Sequence, residues 1–290
     1  MSSPPACAIF AETRATAQAL GVELTSALGV AAALAPVGAT GVRLSALGAA
    51  GEVAEVRARA RAVLGGRADW AVAPALPACA VLVSDMDSTV IGQECIDELA
   101  AMAGLRDQIA PITAAAMAGE LDFAQALQAR VKALAGLEVS ALQACLDARV
   151  RLNPGAAALV ARLSAQGALT ALVSGGFTFF TERVAAAAGF TRHFGNTLEI
   201  ADGRLTGGLS GAILGAEEKR DLLAALCAEV GAPTQAALAL GDGANDALMI
   251  QAAGLGLAYR AKPGLRACAH GEINHGDLTR AADLWSALAG

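Results

Sequence analysis

Three short apolar runs, 81–84, 169–173 and 236–240, each end at a polar or glycine-rich turn. Runs of this length between such turns are typical of buried strands. Helix-like stretches with alanine and leucine at helical spacing lie between them. Strands that alternate with helices indicate an α/β protein with a Rossmann-like parallel sheet. Because such sheets bind ligands beyond the carboxyl ends of their strands, we expect the three turns to line one crevice.

The turns carry side chains suited to phosphate chemistry. Asp85 and Asp87 follow the first run, Ser174 follows the second, and Asp242 follows the third. Lys219 lies in the charged opening of a helix-like segment. Alone, the first aspartate pair would fit a solvated acidic turn equally well, but the second cluster favours a shared site. Carboxylates, a hydroxyl beside glycines and a lysine form a set suited to Mg²⁺ and phosphate.

A phosphate monoester explains why these residue types would be needed together. The ester is doubly charged, so an attacking carboxylate needs a hard cation to neutralise both partners. Asp85 is the candidate nucleophile, and Asp87 is placed to protonate the leaving alkoxide and then to activate water. Ser174, the Gly175 amide and Lys219 are candidates for holding the phosphoryl oxygens.

The remaining pattern predicts three regions. Residues 1–75 contain short strand-like and helix-like pieces and precede a proline-marked linker, which predicts a small N-terminal α+β domain. Residues 79–290 form the predicted main domain. Within it, the segment from about 94 to 150 is helical throughout, which predicts a helical cap over the crevice.

Composition excludes several classes of function. A net charge of −6 opposes general nucleic-acid binding, and only 3% aromatic residues oppose a base-stacking platform. Proline and glycines interrupt the longest uncharged stretches, so we expect no membrane association. The cysteines show neither zinc spacing nor a disulfide framework, and we expect reduced thiols in a cytoplasmic protein.

The motifs resemble a known family in order and spacing. Asp-Met-Asp-Ser-Thr at 85–89, Ser-Gly-Gly at 174–176, Lys219 and Gly-Asp-Gly-Ala-Asn-Asp at 241–246 resemble the motifs of haloacid-dehalogenase-type phosphatases. Further segments, among them 94–100, 117–123 and 261–263, are similar to the phosphoserine phosphatases of that superfamily. The resemblance extends from about residue 79 to the C-terminus. It implies hydrolysis of O-phospho-L-serine, the last step of serine biosynthesis, through an aspartyl-phosphate.

Carried over residue by residue, the resemblance also implies a ligand set. Mg²⁺ would bind Asp85, the backbone carbonyl of Asp87 and Asp242, with Asp246 in the outer shell. Asn245 would lie close to the phosphate. The residues implied to recognise the amino-acid end of the substrate, or to shape its pocket, are Glu94, Arg130, Met117 and Phe123. A guanidinium suits a carboxylate and a glutamate suits an ammonium, which agrees with this division.

Alternatives stay open at this point. The same machinery could act on another small phosphorylated metabolite, or transfer the phosphoryl group to an alcohol. The chain could instead be a sensing protein with a silent catalytic domain, although the intact aspartate and lysine set opposes this. Some members of the family carry an amino-acid-binding regulatory module before the catalytic part, and residues 1–75 fit either that role or a structural, homodimer-forming one.

Overall fold

Eleven strands and twelve α-helices form in the part of the chain that the computed structural model describes, residues 4–117 and 120–289. The strands are β1 (Ala6–Phe10), β2 (Ala33–Val37), β3 (Gly41–Ser45), β4 (Asp69–Ala73), β5 (Val81–Ser84), β6 (Leu169–Phe177), β7 (Arg192–Ala201), β8 (Arg204–Ser210), β9 (Ala237–Gly241), β10 (Leu255–Tyr259) and β11 (Gly271–Ile273). The helices are α1 (Arg14–Leu28), α2 (Val53–Leu64), α3 (Cys95–Met102), α4 (Arg106–Met117), α5 (Phe123–Ala133), α6 (Ser140–Arg149), α7 (Ala156–Ala165), α8 (Thr178–Ala188), α9 (Ala216–Glu229), α10 (Ala247–Ala252), α11 (Pro263–Arg266) and α12 (Arg280–Leu288).

All the strands belong to one sheet, in the order β2-β3-β1-β4-β11-β10-β9-β5-β6-β7-β8. Its middle, from β11 to β7, is parallel. Strand β5 lies at the centre, where Val81 pairs with Leu169 of β6 on one side and with Ala237 of β9 on the other. The three runs singled out in the sequence are therefore adjacent strands, and their carboxyl ends lie side by side.

Helices cover both faces of the parallel strands because alternate strand residues point to opposite sides. Leu82 of β5 belongs to the core beneath α7, α8 and α12. Its neighbours Val81 and Val83 pack on the other face, with residues from α9, α10 and α11. This arrangement confirms the predicted α/β class with a Rossmann-like parallel sheet.

Helices α3 to α6 lie between β5 and β6 and form the cap segment. The connection into α5 is well specified, because the Asp122 side chain accepts the Gln125 N–H and the Gln125 side chain accepts the Asp122 N–H. The hairpin β7–β8 reaches this segment and was not predicted from the sequence. Leu205 of β8 exchanges backbone hydrogen bonds with Gly136 and Leu137 just after α5, at 2.8 and 2.9 Å. A strand pair therefore braces the helical cap.

The N-terminal strands continue the same sheet. Strand β4 pairs antiparallel with β11, so the backbone ladder crosses from the N-terminal part into the main part of the chain. Helices α1 and α2 cover one face of β1, β3 and β4, and α12 covers the opposite face of β1 and β4. The predicted domain boundary falls in the connection between β4 and β5, whereas the sheet runs on past it.

None of the helices in the described part of the chain has the length and apolar character needed to cross a membrane.

Candidate active site

Asp85 lies directly beyond the central strand β5. Its backbone N–H donates to the Leu240 carbonyl of β9 at 2.9 Å, which continues the parallel ladder by one residue. The side chain is buried, and its Oδ1 accepts a hydrogen bond from Lys219 Nζ at 2.7 Å. Lys219 is fully buried and also donates to Asp246 Oδ1 at 2.6 Å. A buried ammonium thus links the residue after β5 to the turn after β9.

The turn after β9 is held by Asp246. Its Oδ2 accepts the backbone N–H groups of Asp242 and Gly243, both at 3.1 Å. A Cβ at Gly241 would lie 2.5 Å from the Asp246 carboxylate, so this close turn requires glycine. Both oxygens of Asp246 are therefore engaged by the protein itself.

Asp85, Asp242 and Asp246 have carboxylate oxygens within 4.8 Å of one another, which could hold a metal ion. Within the described residues, Asp85 and Asp242 each have one oxygen in hydrogen bonds or ion pairs and one without. Carboxylate oxygens are the donors that hard divalent cations prefer. The donor set fits such a cation, with Asp85 and Asp242 able to supply direct ligands and Asp246 engaged in positioning.

Asp87 is fixed by two donors from opposite sides. Its Oδ1 accepts the Cys95 N–H at the start of α3 at 2.9 Å, and its Oδ2 accepts the Ser174 hydroxyl at 3.3 Å. Ser88 has a φ of 55°, which turns the chain sharply after Asp87. A Cβ at Gly176 would lie 2.7 Å from Asp87 Oδ2. The carboxyl group therefore sits between the cap segment and the end of β6.

The Ser-Gly-Gly run differs from the sequence expectation of a turn after the strand. Strand β6 continues to Phe177, but its pairing with β7 is irregular between Val173 and Phe177. The Ser174 hydroxyl accepts the Gly176 N–H at 2.8 Å, and Asn196 of β7 donates its side-chain N–H to the Gly175 carbonyl at 2.8 Å. These bonds keep the run close to Asp87 although the ladder is interrupted.

Three of the residues proposed for substrate recognition approach from the cap. Glu94 precedes α3 and accepts the Ser88 hydroxyl at 2.9 Å. Arg130 donates its Nε to the Ala126 carbonyl at 3.3 Å within α5. The Phe123 ring lies against Gly175, where an added Cβ would come within 2.7 Å of the ring.

These residues surround a cavity of about 560 Å³ between the strand ends and the cap. The residues named from the sequence that line it are Asp85, Asp87, Glu94, Phe123, Arg130, Ser174, Gly175, Asp242 and Asn245. Lys219 and Asp246 are buried behind this wall. Met117 ends α4, and its side chain lies outside the described residues.

Two residues at the site were given no role from the sequence, although one of them, Lys262, lies in the 261–263 segment that belongs to the family resemblance. Lys262 lines the cavity, and its Nζ lies 3.1 Å from Asp242 Oδ2 and 3.6 Å from Glu94 Oε1. It follows the apolar run of β10, so the rule about strand ends could have found it. Asn196, which holds Gly175, is a buried residue inside β7 and carries no comparable signal in the sequence.

Burial and charge shift the titration of these groups. Burial raises the pKa of the Asp85 carboxyl well above its ordinary value, and Asp246 adds to this effect while Lys219 opposes it. Burial, with the charge of Glu94, raises the pKa of Asp87 to about 6. Burial alone would lower the pKa of Lys219, but Asp246 and Asp85 raise it above the ordinary lysine value. Lys219 is therefore a permanent cation, whereas Asp87 can hold or release a proton near neutrality.

A sequence model of the haloacid dehalogenase-like hydrolase family matches residues 82–251 of this chain. The chain belongs to that family, in agreement with the resemblance noted from its motifs. It is 44% identical over 209 residues to a phosphoserine phosphatase of Polaromonas, an alignment that covers 70% of this chain and 89% of that protein.

Two solved structures extend the comparison. A haloacid dehalogenase family hydrolase from Salmonella enterica superposes with a TM-score of 0.85 at 30% identity, covering 97% of each chain. A phosphoserine phosphatase structure described as a phospho-aspartyl intermediate analogue superposes with a TM-score of 0.66 at 34% identity. It covers 71% of this chain and 98% of that one. The first likeness thus includes the N-terminal strands, and the second is to a shorter chain.

Proposed function

We propose that this chain hydrolyses O-phospho-L-serine to L-serine and phosphate through a covalent phosphate on Asp85. The observation that carries the proposal is one cavity with Asp85 and Asp87 at its floor and Glu94 and Arg130 on its cap side. The Polaromonas relative and the phospho-aspartyl analogue support the same substrate and intermediate.

In the first step a carboxylate oxygen of Asp85 attacks phosphorus, and the bond between phosphorus and the serine oxygen breaks. Asp87 gives its proton to the departing serine oxygen. In the second step Asp87 takes a proton from water, whose oxygen attacks phosphorus and releases phosphate from Asp85. A pKa of about 6 suits Asp87 to both transfers.

The phosphoryl oxygens need donors and positive charge. Ser174, the Gly175 amide and Asn245 line the cavity and hold these oxygens. Lys219 lies 2.7 Å from Asp85 and places a fixed positive charge beside the nucleophile. Because the group is already buried and oriented, it requires no rearrangement when charge develops.

We infer that the resident metal is Mg²⁺, and that Asp85, the backbone carbonyl of Asp87 and Asp242 would hold it, with Asp246 as outer-shell support. The free oxygens of Asp85 and Asp242 support this assignment. When bound, the ion supplies positive charge that favours the carboxylate form of Asp85 and neutralises the phosphoryl oxygens.

The cap side selects the amino-acid end of the substrate. Arg130 pairs with its carboxylate and Glu94 with its ammonium. Phe123, whose ring lies against Gly175, shapes the apolar part of the pocket, and the same role for Met117 stays a prediction of the motif resemblance. A cavity of about 560 Å³ accommodates a small phosphorylated metabolite together with water.

The reaction takes place in the cytoplasm, a proposal supported by six free cysteines. The homodimer stays a prediction, which sedimentation of the purified chain would test.

Replacing Arg130 by Ala tests the substrate. The KM for phosphoserine should rise on the order of 100-fold because a charge-assisted pair with the carboxylate is lost. The KM for phenyl phosphate, which has no carboxylate, should change little. Steady-state phosphate release with added Mg²⁺, across phosphoserine, phosphothreonine, sugar phosphates and phenyl phosphate, measures both values.

Arg149→Ala is the matched control, because Arg149 is an exposed arginine at the end of another cap helix. It should leave both KM values unchanged. An equal rise for both substrates in the Arg130 variant would remove the carboxylate-recognition role. A wild-type preference for another phosphate in the panel would replace phosphoserine as the substrate.

A further inference from the structure

We propose that Lys262 is a charge-balancing residue that weakens cation binding at Asp242 and strengthens binding of the anionic phosphate. The inference rests on the proposed function only in taking Mg²⁺ and a phosphate group as the ligands of this cavity. It adds a positioning residue for that reaction, acting through Asp242 and Glu94.

The loop that carries Lys262 is tightly constructed. The backbone N–H of Lys262 donates to the Asp242 carbonyl at 2.9 Å, so the segment after β10 is bound to the turn after β9. Arg260 has a φ of 44°, a left-handed conformation that turns the chain just after β10. Pro263 follows and favours the extended conformation observed at Lys262, with φ −65° and ψ 152°. Arg266 Nε donates to the Ala261 carbonyl at 2.7 Å and closes the loop.

The side chain of Lys262 joins the metal-binding part of the site to the cap. Its ammonium lies 3.1 Å from Asp242 Oδ2 and 3.6 Å from Glu94 Oε1. Glu94 stands at the start of the cap segment, whereas Asp242 belongs to the core. Most lysines with a side chain 65% exposed are solvated surface charges, but this one faces two carboxylates that line the same cavity.

Lys262 differs from Lys219, the other lysine of the site, in its exposure to solvent and ligands. Lys219 is fully buried between Asp85 and Asp246 and is held by both. Lys262 lines the cavity with an exposed side chain, so its charge acts on a cation or a phosphate group that binds there. Carboxylates outnumber cations around the cavity, which alone would favour a metal ion and repel a phosphate dianion.

The sign of the effect follows from Coulomb's law. A positive charge near Asp242 repels a divalent cation and attracts a phosphate group. Removing that charge should therefore change the two affinities in opposite directions. A purely structural role, in which the lysine only keeps Asp242 and the loop in place, would weaken both.

Lys262→Met keeps the length of the side chain and removes its charge. Isothermal titration calorimetry on the full chain measures the Kd of Mg²⁺ without any anion, and then the Kd of inorganic phosphate at saturating Mg²⁺. We expect Mg²⁺ to bind tighter on the order of tenfold, and phosphate to bind weaker by a similar factor, at about 0.1 M ionic strength.

Two control variants separate charge at this position from other effects. Lys262→Arg keeps the positive charge and should stay within about threefold of wild type for both ligands. Arg260→Met removes a positive charge from the same loop, where Arg260 lies over the Tyr259 ring, 5.2 Å from its centroid. Its effect on both ligands should be less than about twofold, because exposed charges are screened over short distances.

Weaker binding of both ligands by Lys262→Met would show a structural role and overturn the proposal. Unchanged affinities, or an equal effect of Arg260→Met, would overturn it as well. Neither titration uses phosphoserine, so a failure of the phosphoserine assignment would appear in the substrate panel and leave this test readable.

Discussion

Two buried aspartates in different regions of one sheet are used in different ways. Asp69, at the start of β4, has both oxygens filled: it accepts the N–H groups of residues 274 to 276 and pairs with Arg280 at 3.2 Å. Asp85, beyond β5, has one oxygen on Lys219 and the other without a partner among the described residues. A buried carboxylate that is fully bonded holds segments together, whereas one with an open oxygen beside a cavity can react.

The strands around Asp85 and Asp69 also differ in how they pair. Around Asp85, parallel strands end together and leave a crevice. Around Asp69, antiparallel pairing joins the N-terminal strands to β11, and Arg280 stacks on the Phe10 ring at 4.3 Å. The N-terminal region is therefore built into the core of the enzyme by hydrogen bonds, an ion pair and a shared apolar face.

The largest effect is expected from replacing the reactive aspartate, Asp85. Asp85→Asn should lower kcat for phosphoserine by at least about 10⁴-fold, since the amide is not a nucleophile for phosphorus. The melting temperature should stay close to that of the wild type, because the amide has the same volume, its oxygen can still accept from Lys219, and Lys219 keeps its ion pair with Asp246. Phosphate-release kinetics, acid trapping of the phosphoenzyme and thermal melting measure these outcomes.

Asp221→Asn is the control, because Asp221 is an exposed residue on α9 paired with Arg220. It should leave kcat unchanged. Substantial turnover by the Asp85 variant would contradict the assignment of the nucleophile.

Replacing the structural aspartate, Asp69, should lower the stability of the fold and leave the kinetic constants nearly unchanged. Asp69→Ala leaves Arg280 Nε and three backbone N–H groups without their acceptor, although Arg280 keeps its pair with Asp283. It should cost about 3–5 kcal/mol of unfolding free energy. The kcat and KM of the folded protein should change less than about twofold. Urea unfolding followed by fluorescence, together with steady-state kinetics, measures both.

Glu23→Ala breaks an exposed ion pair with Arg67, with side chains 50% and 51% exposed, and should change the unfolding free energy little because solvent screens the pair. If the Asp69 and Glu23 variants lost equal stability, the anchoring role of Asp69 would be wrong.

A smaller effect on stability is expected from His270, which lies just before β11 and beside β4. Its Nδ1 accepts the Gly256 N–H at 3.0 Å, and its carbonyl accepts the Val72 N–H of β4 at 2.9 Å. Burial, with the charge of Arg57, lowers the pKa of the ring from 6.5 to about 3. The folded state therefore holds the neutral ring, so its contribution is full above pH 6.5 and is lost as the pH falls toward 3.

Between pH 7 and pH 5 this group should cost about 2 kcal/mol of unfolding free energy, because the unfolded histidine gains a proton and the folded one does not. His270→Asn offers an oxygen acceptor at a similar position and does not titrate. Urea unfolding at both pH values should show a loss smaller by about 2 kcal/mol in the variant. An identical pH dependence in both proteins would contradict the prediction.

Much of the site could be predicted because its residues follow apolar runs that form adjacent parallel strands. Asp85, Ser174 and Asp242 each come directly after or within the end of such a strand, and the topology brings them together. Asn196 and the β7–β8 hairpin could not be predicted in this way. Asn196 acts through hydrogen bonds with Gly175 and Leu214, which are distant from it in sequence. The hairpin is identified by its packing against the cap.

The order of apolar runs, turns and acidic motifs determined the class of fold, the family and the residue types available for phosphate chemistry. These features depend on local spacing, which a linear chain displays directly. Only the tertiary structure decided that the N-terminal strands join the catalytic sheet, that both oxygens of Asp246 are engaged, and that Lys262 lies between Asp242 and Glu94. Those relations depend on the distances between side chains that are far apart in the sequence, and packing alone sets such distances.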